Sequence, residues 1–360
     1  METKEELFSK LAAPEYMDNI LLLTHTDLDG AGAAVIIRSC FSRVTVKHCS
    51  NNSMSKDILE ACVSAKQDGY DFIIACDISC SDEDAAEIDR IPQIANYFVL
   101  IDHHPSSVSL NRFKWAVIHP DMVSDSFRAK EYTNPLVGHS SGTALLYDYL
   151  EYFNAIQGSQ VLNVHFLRKF VSLVSKYDTW DWETLFKSCE PKTLSSLCFI
   201  YGLDYFEDTM TERIKHPQAN LTSIFTSVDE VVLRCEQQKI ERYVKNVRKA
   251  YRYGTITLAD REYNIVYCAT SQYLPQTFED MEDKYPGRDI YMINHGNGIS
   301  MRARKDSIDL SVIAKQLGGG GHKGAGGIPI PFEKQIAYFE SAIGTKFNYQ
   351  QNITETSFFS

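Results

Sequence analysis

A chain of 360 residues with 47 acidic and 36 basic side chains has a formal charge of −11, at 44% hydrophobic content. This is globular composition over a length that suits two domains with cores of their own, and it excludes a small disulfide-stapled scaffold. The acidic balance also argues against coating long nucleic acid, so an anionic substrate must be met by local positive charge, from side chains or from bound metal ions.

The longest apolar stretches, such as Ile20 to Leu23 and Phe72 to Cys76, fall far short of the roughly 18 to 20 residues that cross a bilayer. METKEELFSK lacks an apolar signal core, and the expectation is a cytoplasmic protein without a membrane partner. Nine scattered cysteines, an odd number with no Cys-x-x-Cys pair, read as reduced thiols rather than as a disulfide framework or a thiolate zinc site.

In the first half, short apolar runs alternate with longer amphipathic stretches, the pattern of strands feeding crossover helices. Strands are predicted at Ile20 to Thr24, Val44 to Cys49, Phe72 to Asp77, Tyr97 to Asp102 and Trp115 to His119. Helices are predicted at Gly30 to Phe41, Ser55 to Lys66 and Asp82 to Ile91, then over GTALLYDYLEYF with Ser140 or Ser141 as N-cap, and from Val164 to Tyr177. The fold class is therefore α/β, with an N-terminal, mostly parallel sheet flanked by helices over residues 1–190.

Residues 191–252 stay helical and read as a connector. Its basic end, RYVKNVRKAYRYG, reads as a solvated helix face in preference to an extension of a nucleic-acid path. Residues 253–345 form a smaller α+β domain: strand-like GTITLAD, YNIVYCAT and DIYMIN, a turn at His295 to Gly298, ISMRAR, a helix from Asp309 to Leu317, four glycines, and a last strand in GGIPIPF. Residues 346–360 read as a frayed tail.

Three of the predicted parallel strands end in ionisable clusters, ILLLTHTDLDG, FIIACDIS and YFVLIDHH. The carboxyl ends of parallel strands share one rim, where ligands bind, so His25, Asp27, Asp29, Asp77, Asp102, His103 and His104 should converge. Each has a plainer reading: Asp29 before Gly30 as a turn or cap, Asp77 before Ser79 as a cap for the next helix, and either histidine as a loop residue. Their combination on one rim outweighs these. Like charges about 4 Å apart repel by roughly 4 kcal/mol at an effective dielectric of 20, so such a crevice needs cations.

Mixed Asp and His donors without cysteine favour Mn²⁺, with Mg²⁺ or Co²⁺ as substitutes. Seven donors exceed what one ion with open positions can use. A pair of ions sharing an aspartate, suited to phosphoester hydrolysis, uses them better.

HTDLDG at His25 to Gly30, Cys76-Asp77, Asp102 to His104 and YDTWDW at Tyr177 to Trp182 resemble the four ordered motifs of the DHH phosphoesterase superfamily. SMRARKDSIDLSVIAKQLGGGGHKGAGG resembles the DHH-associated C-terminal domain. The resemblance implies one ion held by His25, Asp27 and Asp77 and a second held by Asp29, Asp77, His103 and Asp178, with Asp77 shared. Asp181 is an alternative to Asp178. Asp102 would orient an imidazole, and His104 would face the scissile phosphate. His139, in GHSSG, is a candidate for substrate contact. In the C-terminal domain the candidates are Arg302 and Arg304, which alternation puts on one strand face, and Gly319, Gly320, Gly321, His322 and Lys323.

The Tyr-Asp-Thr-Trp context is similar to the type B nanoRNases. It implies a manganese-dependent phosphodiesterase acting on short RNA or DNA oligonucleotides of about two to five residues, linear dinucleotides such as pGpG or pApA included, in a compact cleft. Trp180, Trp182 and Phe206 are candidates for stacking a base. The alternatives are a cyclic-dinucleotide phosphodiesterase, a 3′,5′-bisphosphate nucleotide phosphatase, a RecJ-like single-strand exonuclease, and a non-catalytic nucleic-acid-binding scaffold. An inorganic pyrophosphatase fits less well, and a homodimer is a possible assembly.

Overall fold

The computed structural model describes residues 19–120, 139–152, 156, 164–216, 223–258 and 260–345. The expected tail lies outside them. The chain divides into two compact units, 1–233 and 234–360.

The first unit is an α/β sandwich. Its strands are β1 (Ile20–Thr24), β2 (Val44–His48), β3 (Phe72–Cys76), β4 (Phe98–Asp102) and β5 (Ala116–Ile118), all parallel in the order β2-β1-β3-β4-β5. β1, β3 and β4 are buried along their whole length, as continuous apolar runs covered on both faces should be. Alternation sorts their side chains between two cores. Ile20, Leu22, Phe72, Ile74, Val99 and Ile101 face one layer, whereas Leu21, Leu23, Ile73, Ala75, Phe98 and Leu100 face the other.

The second layer is formed by α2 (Met54–Asp68) and α3 (Asp82–Asp89). The first is thicker: α1 (Leu28–Cys40) lies between the sheet and α4 (Gly142–Tyr152), α5 (Val164–Asp178) and α8 (Leu203–Lys215), with the short α6 (Asp181–Thr184) and α7 (Glu190–Tyr201) between the last two. This sandwiching explains why α1 is buried all round, with Arg38 as its only residue not fully covered. The strand order reverses between β1 and β3, since β1 leads to β2 on one side while β3 and β4 run away on the other. A crevice opens at such a switch point, at the carboxyl ends of the strands.

The helix α9 (Ser227–Val247) runs through the division into the second unit. There β6 (Arg252–Leu258), β7 (Arg261–Ala269), β8 (Ile290–Asn294), β9 (Gly298–Arg302), β10 (Gly320–His322) and β11 (Ala325–Pro329) form a mixed sheet in the order β10-β11-β9-β8-β7-β6. α10 (Leu274–Lys284) packs on one face and α11 (Leu310–Gln316) on the other. The chain then enters α12 (Phe332–Ile343).

Two features of this unit differ from the sequence expectation. The glycine run was expected to stop the helix before the last strand, with no strand of its own, but Gly320 and Gly321 open the edge strand β10; a Cβ at Gly319 would lie 1.9 Å from the Gly327 carbonyl oxygen, so β11 approaches too closely for a side chain. The last strand stops at Pro329, and Phe332 begins α12 instead of ending it.

Candidate metal centre

After β1 the chain turns sharply into α1. A Cβ at Gly30 would sit 2.1 Å from the His25 carbonyl oxygen, so only glycine lets the helix start this close to the strand. Asp27 caps α1, its Oδ1 accepting from the Gly30 N–H at 3.1 Å, while its Oδ2 lies 2.8 Å from His25 Nδ1. Asp29, buried in the first turn, caps a different helix. Its carboxylate accepts the N–H groups of Gly142 (2.6 Å) and Thr143 (3.1 Å) at the start of α4, and each oxygen keeps a lone pair. Of the two expected caps for α4, Ser141 is the one used, accepting from Ala144.

Asp77 follows β3 at φ 60, in the left-handed region, and is buried. A non-glycine residue is held there only by its surroundings, a form of strain that concentrates at functional sites. Its N–H donates to the Ile101 carbonyl at 3.1 Å, and the start of α4 presses on it: a Cβ at Gly142 would lie 2.7 Å from its own Cβ. Helix α3 takes Ser81 as its N-cap, which removes the capping explanation for Asp77.

β4 ends in Asp102, fully buried, whose Oδ1 accepts from the His103 N–H at 2.8 Å and from His104 Nδ1 at 2.7 Å. With its Nδ1 proton on a carboxylate, the half-exposed His104 keeps Nε2 for another partner. The neighbouring His103 ring is 4.3 Å away. Its Nε2 lies 3.4 Å from Asp77 Oδ1 and 3.5 Å from Asp178 Oδ2, the latter delivered by the last residue of α5.

These donors form three overlapping groups: His25 with Asp27 and Asp77; Asp29 with His103 and Asp178; and Asp77 with Asp102, His103 and His104. In each, ligand atoms lie within 4.8 Å of one another. Asp77 Oδ2, Asp102 Oδ2, Asp178 Oδ2 and His103 Nε2 are buried and have no hydrogen-bond partner among the described residues. Orphaned buried polar atoms are costly, and four in one crevice fit a site built around cations. Burial, with added repulsion from Asp29, Asp27, Asp178 and Asp102, pushes the Asp77 carboxyl well above its ordinary range. Burial and the charges of Asp29 and Asp27 push Asp178 up to about 8. Burial would also raise Asp102, but the bonds and charge of His104 and the charge of His103 hold it below the usual value. Its hydrogen bond to Asp102 raises His104 against the opposing effect of burial. Cys76 is no competing ligand, because burial and the nearby carboxylates push its thiol far up.

His139 is exposed beside Asp181, its Nδ1 3.9 Å from Oδ1 of that buried carboxylate. Trp180 is 61% exposed at φ 60, with Trp182 6.0 Å away, whereas Phe206 is wholly buried against Phe170. The stacking role expected of Phe206 is therefore withdrawn; it is core. In the second unit, Arg302 lies over the Phe278 ring at 5.1 Å, and Arg304, beyond the end of β9, is held by both oxygens of Glu282 at 3.1 and 3.0 Å. Gly319 donates its N–H to the Ala314 carbonyl, His322 is exposed at the end of β10, and Lys323 stands 3.5 Å from Asp306.

The sequence reading missed Thr143, whose Oγ1 bonds the Asp29 carbonyl at 2.5 Å, and His48, which bonds the His25 carbonyl at 2.8 Å. Only the switch-point topology, which sets the end of β2 beside the end of β1, points to His48.

The fold and this donor set define a metal-dependent phosphoesterase. Residues 19–174 match the family described as DHH family, N-terminal domain. The chain is 27% identical over 317 residues, covering 87% of this chain and 73% of the relative, to oligoribonuclease NrnB of Bacillus subtilis (strain 168). Among solved structures, the DHH domain of a member of the s1p family of ribosomal proteins aligns at TM-score 0.55 and 15% identity, covering 96% of this chain and 92% of that one. A pGpG-specific phosphodiesterase from Vibrio cholerae aligns at TM-score 0.48 and 13% identity, covering 91% and 98%. No helix among the described residues is long and apolar enough to cross a membrane.

Proposed function

We propose that this protein is a manganese-dependent phosphodiesterase that hydrolyses short oligonucleotides, of about two to five residues, to mononucleotides. The observation that carries the proposal is the ring of orphaned ligand atoms around Asp77. The similarity to an oligoribonuclease supports the substrate class. His25, Asp27 and Asp77 would hold one ion and Asp29, Asp77, His103 and Asp178 the other, with Asp77 common to both. When bound, such a pair supplies Lewis acidity to a phosphate and raises the acidity of a water.

The protein's own groups do the rest. Asp102 keeps His104 in one tautomer, with Nδ1–H on the carboxylate, and its hydrogen bond makes the ring a stronger base, leaving Nε2 to face a phosphate or leaving oxygen and pass it a proton. Trp180 offers an exposed indole two residues beyond Asp178, suited to stacking a terminal base. Arg302 has no carboxylate within ion-pair distance among the described residues and is the better phosphate contact of the two arginines, since Arg304 already serves Glu282.

Replacing Trp180 by Ala should raise KM for a dinucleotide about tenfold, within the range of one lost base stack, and change kcat little. Steady-state kinetics checks this, and an unchanged KM removes Trp180 from substrate contact. The proposal itself is tested by incubating the protein and Mn²⁺ with labelled RNA and DNA from dinucleotides up to long single strands. Turnover should be fastest on the shortest. A preference for long strands would favour the exonuclease alternative, and no cleavage of any would refute the proposal.

A further inference from the structure

The helical stretch that the sequence reading left without chemistry carries a buried carboxylate close to the site. Glu207, on α8, is fully buried. Its Oε1 lies 2.7 Å from His48 Nε2, an ion-pair contact rather than an aligned hydrogen bond, and its Oε2 lies 3.5 Å from Arg38 Nη2. Burial of such a group is costly, and apolar residues of similar volume usually serve stability as well or better. Its neighbours on α8, Phe206 and Met210, are core residues of that kind.

The other end of the contact is informative. The ladder between β1 and β2 closes with the Cys49 N–H on the Thr24 carbonyl at 2.8 Å. The next carbonyl along, that of His25, is taken by the side chain of His48 instead, through Nδ1 at 2.8 Å. A carbonyl only accepts, so Nδ1 carries the hydrogen, and the contact of Nε2 with Glu207 fixes the ring plane. The same oxygen rests against Gly30 on its other side, at the distance a Cβ there would violate.

We propose that His48 and Glu207 are positioning residues, which clamp the His25 main chain and thereby aim its imidazole within the His25, Asp27 and Asp77 group. The inference rests on the proposal that this group holds one of two ions, and its test is separable from that proposal.

Manganese binding is measured by electron paramagnetic resonance titration, with thermal unfolding alongside, on three proteins: the unmodified chain, the double variant H48L/E207L, and H48N. The double variant exchanges the buried pair for apolar side chains of similar bulk and should fold. It should lose about tenfold or more in affinity for one ion, as when an outer hydrogen-bond partner of a metal ligand is removed, and keep the other within about twofold. H48N, whose amide can donate to the same carbonyl, should recover most of the loss. The proposal is overturned if the folded double variant binds both ions as the unmodified chain does, if H48N binds as poorly as the double variant, or if the double variant cannot fold, which would make the pair a folding element. An unmodified chain that binds no ion pair would instead refute the proposed metal centre.

Discussion

Replacing Asp77 by Asn is expected to lower turnover by more than about a hundredfold, a loss of roughly 3 kcal/mol or more in transition-state stabilisation, while the fold stays intact. Asn is isosteric and tolerates the left-handed φ that this position requires. It also replaces a carboxyl whose ionisation is disfavoured by burial and by Asp29, Asp27, Asp178 and Asp102 with a group that never ionises. The metal-free variant should therefore melt no lower than the unmodified protein. What it loses is an anionic oxygen shared by two donor groups. Kinetics and thermal unfolding on the same preparation separate the effects. Near-normal turnover would show that no pair of ions shares this residue.

Metal withdrawal should have the next largest effect, and its size should depend on pH. In the unfolded chain Asp178 releases its proton near 3.8, whereas in the metal-free fold it does so only at about 8, and Asp77 is raised in the same sense. Between those values the unfolded state holds fewer protons, so stability falls as pH rises. Below about 4, where both states are protonated, these groups contribute no slope. A divalent ion takes the place of the protons. In chelator, the melting temperature should fall between mildly acidic and mildly alkaline pH. Manganese should raise stability most on the alkaline side, where it binds more tightly, by about 4 kcal/mol where it stands at a thousandfold excess over its dissociation constant. A manganese effect that was equal at both pH values, or larger in acid, would contradict this electrostatic account.

The strands were legible because ILLLT, FIIAC and FVLID are apolar on both faces, and that pattern occurs where helices cover both sides of a parallel sheet. Parallel strands share a rim, so the seven donors at their ends were legible as neighbours before any coordinate. Contacts made across long separations were not. Glu207 sits on an amphipathic helix, where an acid ordinarily faces water; α1 and β2 bury it, and no local pattern shows that. Phe206 looked free to stack on a base because its packing on Phe170 comes from another helix. Arg304 shared an alternating pattern with Arg302, but β9 ends before it and Glu282, on α10, takes its guanidinium. The glycine run read as backbone left bare for a ligand, yet close pairing with β11 demands glycine there regardless of ligand. Asp27 and Asp29 show why a cap and a ligand are hard to tell apart in sequence: each caps a helix, and each still offers oxygen to a donor group.

The central claim is that two divalent ions share Asp77 at the carboxyl ends of β1, β3 and β4. Anomalous diffraction at the manganese edge, from crystals grown with Mn²⁺, tests it most directly. Two peaks should flank Asp77, one among His25 and Asp27 and the other among Asp29, His103 and Asp178. A single peak, or none within reach of Asp77, would contradict it.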